Sequence, residues 1–136
     1  MSQTPSKQVG LYRLCLQAGT GLAGAKTLHL ELLVNAATGT VTGAGSQTQA
    51  IAPPGGNIPI NNITGVIHGA GFGPVTKLIG LKGEAYITLP PPAIGTFQMP
   101  FSAAFGVDNN WNGKGGWAIG SADPSENVPV KSVNCD

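Results

Sequence analysis

The chain has 136 residues, 41% of them apolar, which is the length of one domain and too hydrophobic for intrinsic disorder. Its 7 Lys and Arg balance 6 Asp and Glu to a formal charge of +1 and are scattered singly, so no basic cluster exists to bind nucleic-acid phosphates or an anionic membrane surface. No apolar run approaches the ~20 residues of a transmembrane helix, and the polar start Met1–Lys7 lacks the apolar core of a secretory signal, so no membrane span and a cytoplasmic location are expected.

Residues 1–7 read as a disordered tail and 8–136 as a single β domain. Gly (21) and Pro (11) fall between apolar runs, as turns do in a β protein. Eight strands are predicted. The first is Val9–Gln17. The second, Thr27–Asn35, alternates Leu28, Leu30, Leu32 and Val34 with His29, Glu31 and Leu33, the period of a strand with one buried face. Ala36–Gly39 is a short hairpin connection in which Gly39 is free to take positive φ. Thr40–Ile51 is the third strand, and Pro53–Asn57 is a loop. The fourth spans about Ile60–His68. The fifth, Val75–Leu89, is long enough to need a bulge at Gly80 or Gly83, and Pro90–Pro92 stops it. The sixth, Thr96–Val107, puts Phe97, Met99, Phe101, Ala103, Phe105 and Val107 on one face, while Pro100 marks an edge or bulge. Trp111–Gly120 and Val128–Asn134 complete the set.

Consecutive strands with short connections form an up-and-down meander, and eight of them close into a small antiparallel barrel, which removes exposed edges. A two-sheet sandwich is the alternative. Gly inside so many strands (Gly43, Gly45, Gly65, Gly80, Gly115, Gly116) favours the barrel, because tightly coiled strands need it. The fold class is therefore all-β, a single up-and-down barrel of about eight strands.

Two cysteines and no signal peptide argue for reduced thiols, and Cys15 between Leu14 and Leu16 reads as a small packed residue. In a closed meander Cys15 faces the start of strand eight near Val128, and Cys135 faces Lys7 or Gln8. That places the pair beyond the ~7 Å Cα limit of a disulfide, so no bond between them is expected.

Several segments carry a family likeness. Val9–Tyr12, Leu28–Asn35, Thr38–Gly43, Gln49–Pro54, Pro90–Gly95 and Trp111–Gly113 resemble a small bacterial family classed as a domain of unknown function. The resemblance covers nearly the whole chain. It implies a bacterial source and a stand-alone domain, and it brings no catalytic or binding residues with it.

Asp108–Trp117 is the most suggestive segment for a site. Asp108, Asn110, Asn112 and Gly113 match the first half of a calcium loop, but the twelfth position, where a bidentate Glu belongs, is Ile119. No metal is therefore assigned. The same segment suits a sugar: a Trp111 or Trp117 face against the C–H face of a ring, with Asp108, Asn110 and Asn112 bonding its hydroxyls. The simpler reading is a polar hairpin turn with its Trp on the rim, since Asn-Gly is a strong turn signal. His29 and Glu31 share a face but lie opposite the core leucines and point outward, and Glu84 and Tyr86 are likewise opposite Ala85 and Ile87. His68 reads as partly buried. The inward faces carry no acid, base or nucleophile, with Arg13 as the one exception to test. Nucleophile elbow, phosphate loop and dinucleotide fingerprint are all missing, so neither a catalytic set nor a cofactor is assigned.

Leu32–Thr76 and Ala85–Val107 hold no Asp, Glu, Lys or Arg among them. Interface cores are depleted of charge in this way, so a homo-oligomer is expected. The leading functional reading is a non-enzymatic domain binding carbohydrate or a small apolar ligand. A toxin-like or self-assembling interaction protein and a cofactor-free cyclase or isomerase barrel are the alternatives. Function is expected at the loops, such that alanine at Asp108, Asn110 and Trp111 leaves the fold intact but abolishes binding.

Overall fold

The structure is a computed structural model describing residues 10–50, 56–72, 75–88, 95–120 and 124–135. The expected N-terminal tail and the proline loops at 53–54 and 90–92 lie outside these residues. The strands are β1 (Leu11–Ala18), β2 (Thr27–Asn35), β3 (Thr40–Thr48), β4 (Asn57–Phe72), β5 (Val75–Thr88), β6 (Thr96–Val107), β7 (Gly113–Ile119) and β8 (Ser125–Val133). Each pairs antiparallel with the next, and β8 pairs with β1, closing an eight-stranded barrel. The sandwich is excluded.

Period-two alternation decides what lies inside. In β2, Leu28, Leu30, Leu32 and Val34 are buried while His29, Glu31 and Leu33 face outward. Phe101, Ala103, Phe105 and Val107 of β6 do the same, but Phe97 lies at the barrel end and is 41% exposed. The interior is filled by the chain's own side chains, among them Leu16, Leu30, Ile60, Ile63, Ile79, Phe101, Trp111 and Trp117. Around the outside runs a polar cross-strand row, Thr42–Thr64–Lys82–Ser102. This is the reverse of a transmembrane barrel, whose outer face is apolar. Arg13 and His68 are exposed, so neither enters the interior.

Two glycines are required by the backbone. Gly39 adopts φ 70° in the β2–β3 turn, as its position implies. Gly65 lies where β4 presses on β5, and a Cβ there runs into the Gly80 carbonyl oxygen, a backbone atom that cannot step aside. Gly65→Ala is expected to cost about 1–3 kcal/mol through forced strand displacement. Gly80→Ala, whose Cβ meets nothing within 4 Å, is expected to stay within about 0.5 kcal/mol. Urea midpoints of the two variants check the contrast.

The irregularities fall elsewhere than expected. β5 pairs with β6 without a register shift, and the extra residue lies in β4, between Asn61 and Thr64 opposite Gly83. Gly83 serves as the small partner of the bulge rather than as the bulge itself. Pro100 sits inside β6 where the β6–β7 ladder ends: β7 pairs from Phe101, and Pro100 takes part beyond it only as an acceptor, its carbonyl accepting the Gly120 N–H at 2.7 Å.

The cysteine expectation is overturned. Cys15 and Cys135 form a disulfide with a Cα–Cα distance of 5.3 Å. Closing a barrel requires tilted, staggered strands, so β8 does not run flush along β1. Cys15 faces Val133, not Val128, and only Cys15–Ala18 pair with Val130–Val133. Cys135, two residues beyond Val133, then arrives diagonally beside Cys15. The stagger that closes the barrel also brings the two sulfurs together.

Candidate functional site

The Asp108–Trp117 segment is held by its own polar groups. Asp108 Oδ1 accepts the backbone N–H groups of Asn110 (2.8 Å) and Asn112 (3.1 Å). The Trp111 N–H donates to the Asp108 carbonyl at 3.1 Å. Asn112 Oδ1 accepts the Ser132 N–H at 3.3 Å, and the Ser132 hydroxyl donates to the Asn110 carbonyl at 3.2 Å. Thr76 Oγ1 donates to Asn109 Oδ1 at 3.1 Å. The loop is thereby stitched to β8 and β5 across one barrel end. Two of the three side-chain oxygens that resemble calcium ligands, Asp108 Oδ1 and Asn112 Oδ1, are turned onto N–H groups of the fold.

Trp111, at φ 65°, is fully buried and forms part of the core. The Lys77 ammonium stands 4.5 Å from its ring centroid, a cation–π contact. Burial lowers the Lys77 pKa, and the Asp108 charge opposes that shift. Trp117 is also buried, its Nε1–H donating to Oε1 of the buried Gln47 at 2.7 Å. Neither indole offers a free face for stacking. The expectation that alanine at Asp108, Asn110 and Trp111 spares the fold fails for this reason: Trp111 is a core residue carried by a loop. Asn110 and Asn112 remain exposed.

A second cluster lies on the outer wall, at the β4 bulge. The extra residue breaks the alternation, so Ile60 and Ile63 both stay inside while Asn61 and Asn62 both turn outward. Asn62 takes φ 54°, a left-handed conformation that Asn tolerates better than most residues. Its Nδ2 donates to Glu84 Oε1 at 2.7 Å, and the Tyr86 hydroxyl donates to the same oxygen at 3.3 Å. Desolvation and the neighbouring Glu84 charge raise the Tyr86 pKa, keeping that hydroxyl a donor. Thr42, Ala44, Asn61, Asn62, Thr64 and Tyr86 line a depression of about 590 Å³ here. A neighbouring depression of about 530 Å³ shares Thr64 and passes over Gly80 between Val66 and Ser102.

Sequence reasoning favours the loop and reads from this wall only that Glu84 and Tyr86 lie opposite Ala85 and Ile87; it does not join them to Asn61 and Asn62. One signal was present: Ile60 and Ile63 are three apart in a strand, and both can face inward only if an extra residue sits between them.

No curated protein matches the chain. A family model described as a domain of unknown function, DUF1842, matches residues 9–123, most of the chain, and the protein therefore belongs to the DUF1842 family.

Proposed function

We propose that this domain binds neutral carbohydrate, without catalysis, on the outside of its barrel. One observation carries the reading: the interior is occupied by the protein's own aromatic and aliphatic side chains, while the depression at the β4 bulge on the outer wall is lined by the hydroxyls and amides of Thr42, Asn61, Asn62, Thr64 and Tyr86, with no charged side chain in its lining. An uncharged polyol suits a wall of amides and hydroxyls, since an apolar ligand would leave those groups desolvated and unpaired. Glycoside hydrolysis ordinarily takes a pair of carboxyl groups. The depression has Glu84 beside it, already bonded to Asn62 and Tyr86, which favours binding over turnover.

The disulfide supports an oxidising place of action, because such bonds persist outside reducing compartments. Val66 and Leu78, on adjacent strands of the same wall and each over 40% exposed, support self-association at high concentration as a second property.

A neutral oligosaccharide array tests the reading. Retention on at least one neutral glycan, equal at 0.15 and 1 M salt because no ion pair is involved, is the expected result, with no release of reducing ends. Absence of any retention, or quenching of Trp fluorescence by a fatty acid entering the interior, would contradict it.

A further inference from the structure

The depression at the β4 bulge has the features of a built site rather than a gap between strands. Asn61 and Asn62 are adjacent in sequence, and an ordinary strand would send their side chains to opposite faces. The bulge sends both outward, at the cost of a left-handed backbone at Asn62. Asn62, Glu84 and Tyr86 are then tied to one another through a single oxygen, Glu84 Oε1. Tying these side chains together before a ligand arrives lowers the ordering cost of binding. Among the described residues, Glu84 Oε2 and the side-chain amide of Asn61 take no hydrogen bond within the protein. They are left to a ligand, one as an acceptor and the other as both donor and acceptor.

We infer that this depression, lined by the Asn61 amide and the Tyr86 ring with Glu84 Oε2 beside it, is the saccharide-binding site of the domain. The inference rests on the carbohydrate reading above and assigns it a place. Ring hydroxyls are both donors and acceptors, so they satisfy an amide and a carboxylate oxygen together. The apolar C–H face of a pyranose lies against an aromatic ring. An anionic ligand would meet the Glu84 charge. An extended peptide lacks an open strand to pair with at this place, because β3, β4 and β5 each pair on both sides. The second depression continues from the first through Thr64; Gly80, having no side chain, keeps its floor low, and Val66, Lys82 and Ser102 stand along it, so the Glu84 charge acts at the bulge and the Lys82 charge beyond it. This length of wall suits an oligosaccharide of several units better than a single ring.

Titration calorimetry with cellohexaose, maltohexaose, xylohexaose and mannohexaose tests the assignment. The native protein binds at least one of the four. Asn61→Ala and Asn62→Gly, the latter keeping the left-handed backbone accessible, each weaken that binding about tenfold, and the double variant abolishes it. Lys131→Ala, on β8 away from the bulge, binds as the native protein does. Thermal melts within a few degrees of native show that the variants are folded. If the double variant is folded and binds with native affinity, the site is wrong and the carbohydrate reading survives. If the native protein binds none of the four but is retained on other neutral glycans of the array, the assignment is tested with those glycans and falls on the same criterion. If it binds no glycan at all, both fall.

Discussion

Replacing Trp111 by alanine is expected to lower the unfolding free energy by about 3–5 kcal/mol, the range for deleting a large buried aromatic side chain. Trp111 is 0% exposed and among the largest fully buried side chains. Its loss empties one barrel end and removes the ring that faces the Lys77 ammonium, which has no hydrogen-bond partner among the described residues. Alanine also sits poorly at the φ of 65° that position 111 adopts. Domains of this size are stable by only about 5–15 kcal/mol, so the variant stands near the threshold of folding. Asn110→Ala, at an exposed position of the same loop, is expected to change stability by no more than about 0.5 kcal/mol. Urea unfolding of the two variants separates a loop that plugs the barrel from a loop that lies on its rim.

Reduction of the disulfide is the other large effect. The bond links residues 120 apart in sequence. The chain-entropy account assigns about 5 kcal/mol to a loop of that length, and measured losses run about 2–5 kcal/mol. The consequence is local as well as global. The β1–β8 seam has four paired residues on each strand, against eight on each strand for β1–β2. The bond lies at the end of this short ladder and is the covalent link across it, so the seam is the place where the reduced barrel opens first. Cys15→Ala/Cys135→Ala is expected to unfold at markedly lower urea than the oxidised protein. Amide exchange should speed up first in β1 and β8. A double variant with native stability and native exchange along the seam would show that the bond contributes nothing to closure.

The architecture was largely legible because it depends on local pattern. The bounds of β2 and β6 follow from uninterrupted alternation, and the Gly39 turn from its chemistry. What escaped depends on how strands sit against one another. Barrel stagger is a global property of closure. A single strand carries no mark of it, so a flush meander puts Cys15 near Val128 when its partner is Val133. The fate of Trp111 was hidden by its turn: Asn112-Gly113 correctly marks a connection, but the pattern is the same whether the indole points to water or folds back over the barrel end. Asn61-Asn62 read as ordinary polar strand residues because their significance lies in the spacing of the isoleucines around them. The outer-wall cluster joins residues of β3, β4 and β5, and only the pairing register brings them together.

The most direct test of outer-wall recognition is amide chemical-shift mapping of the ¹⁵N-labelled oxidised protein, titrated with a neutral oligosaccharide that it retains. The shifts are predicted to cluster at Thr42–Ala44, Asn61–Thr64 and Glu84–Tyr86, with the Asn110–Asn112 amides and the interior indoles of Trp111 and Trp117 unmoved. Shifts centred on the Asp108–Asn112 loop, or on the indole N–H groups of the interior, would contradict it.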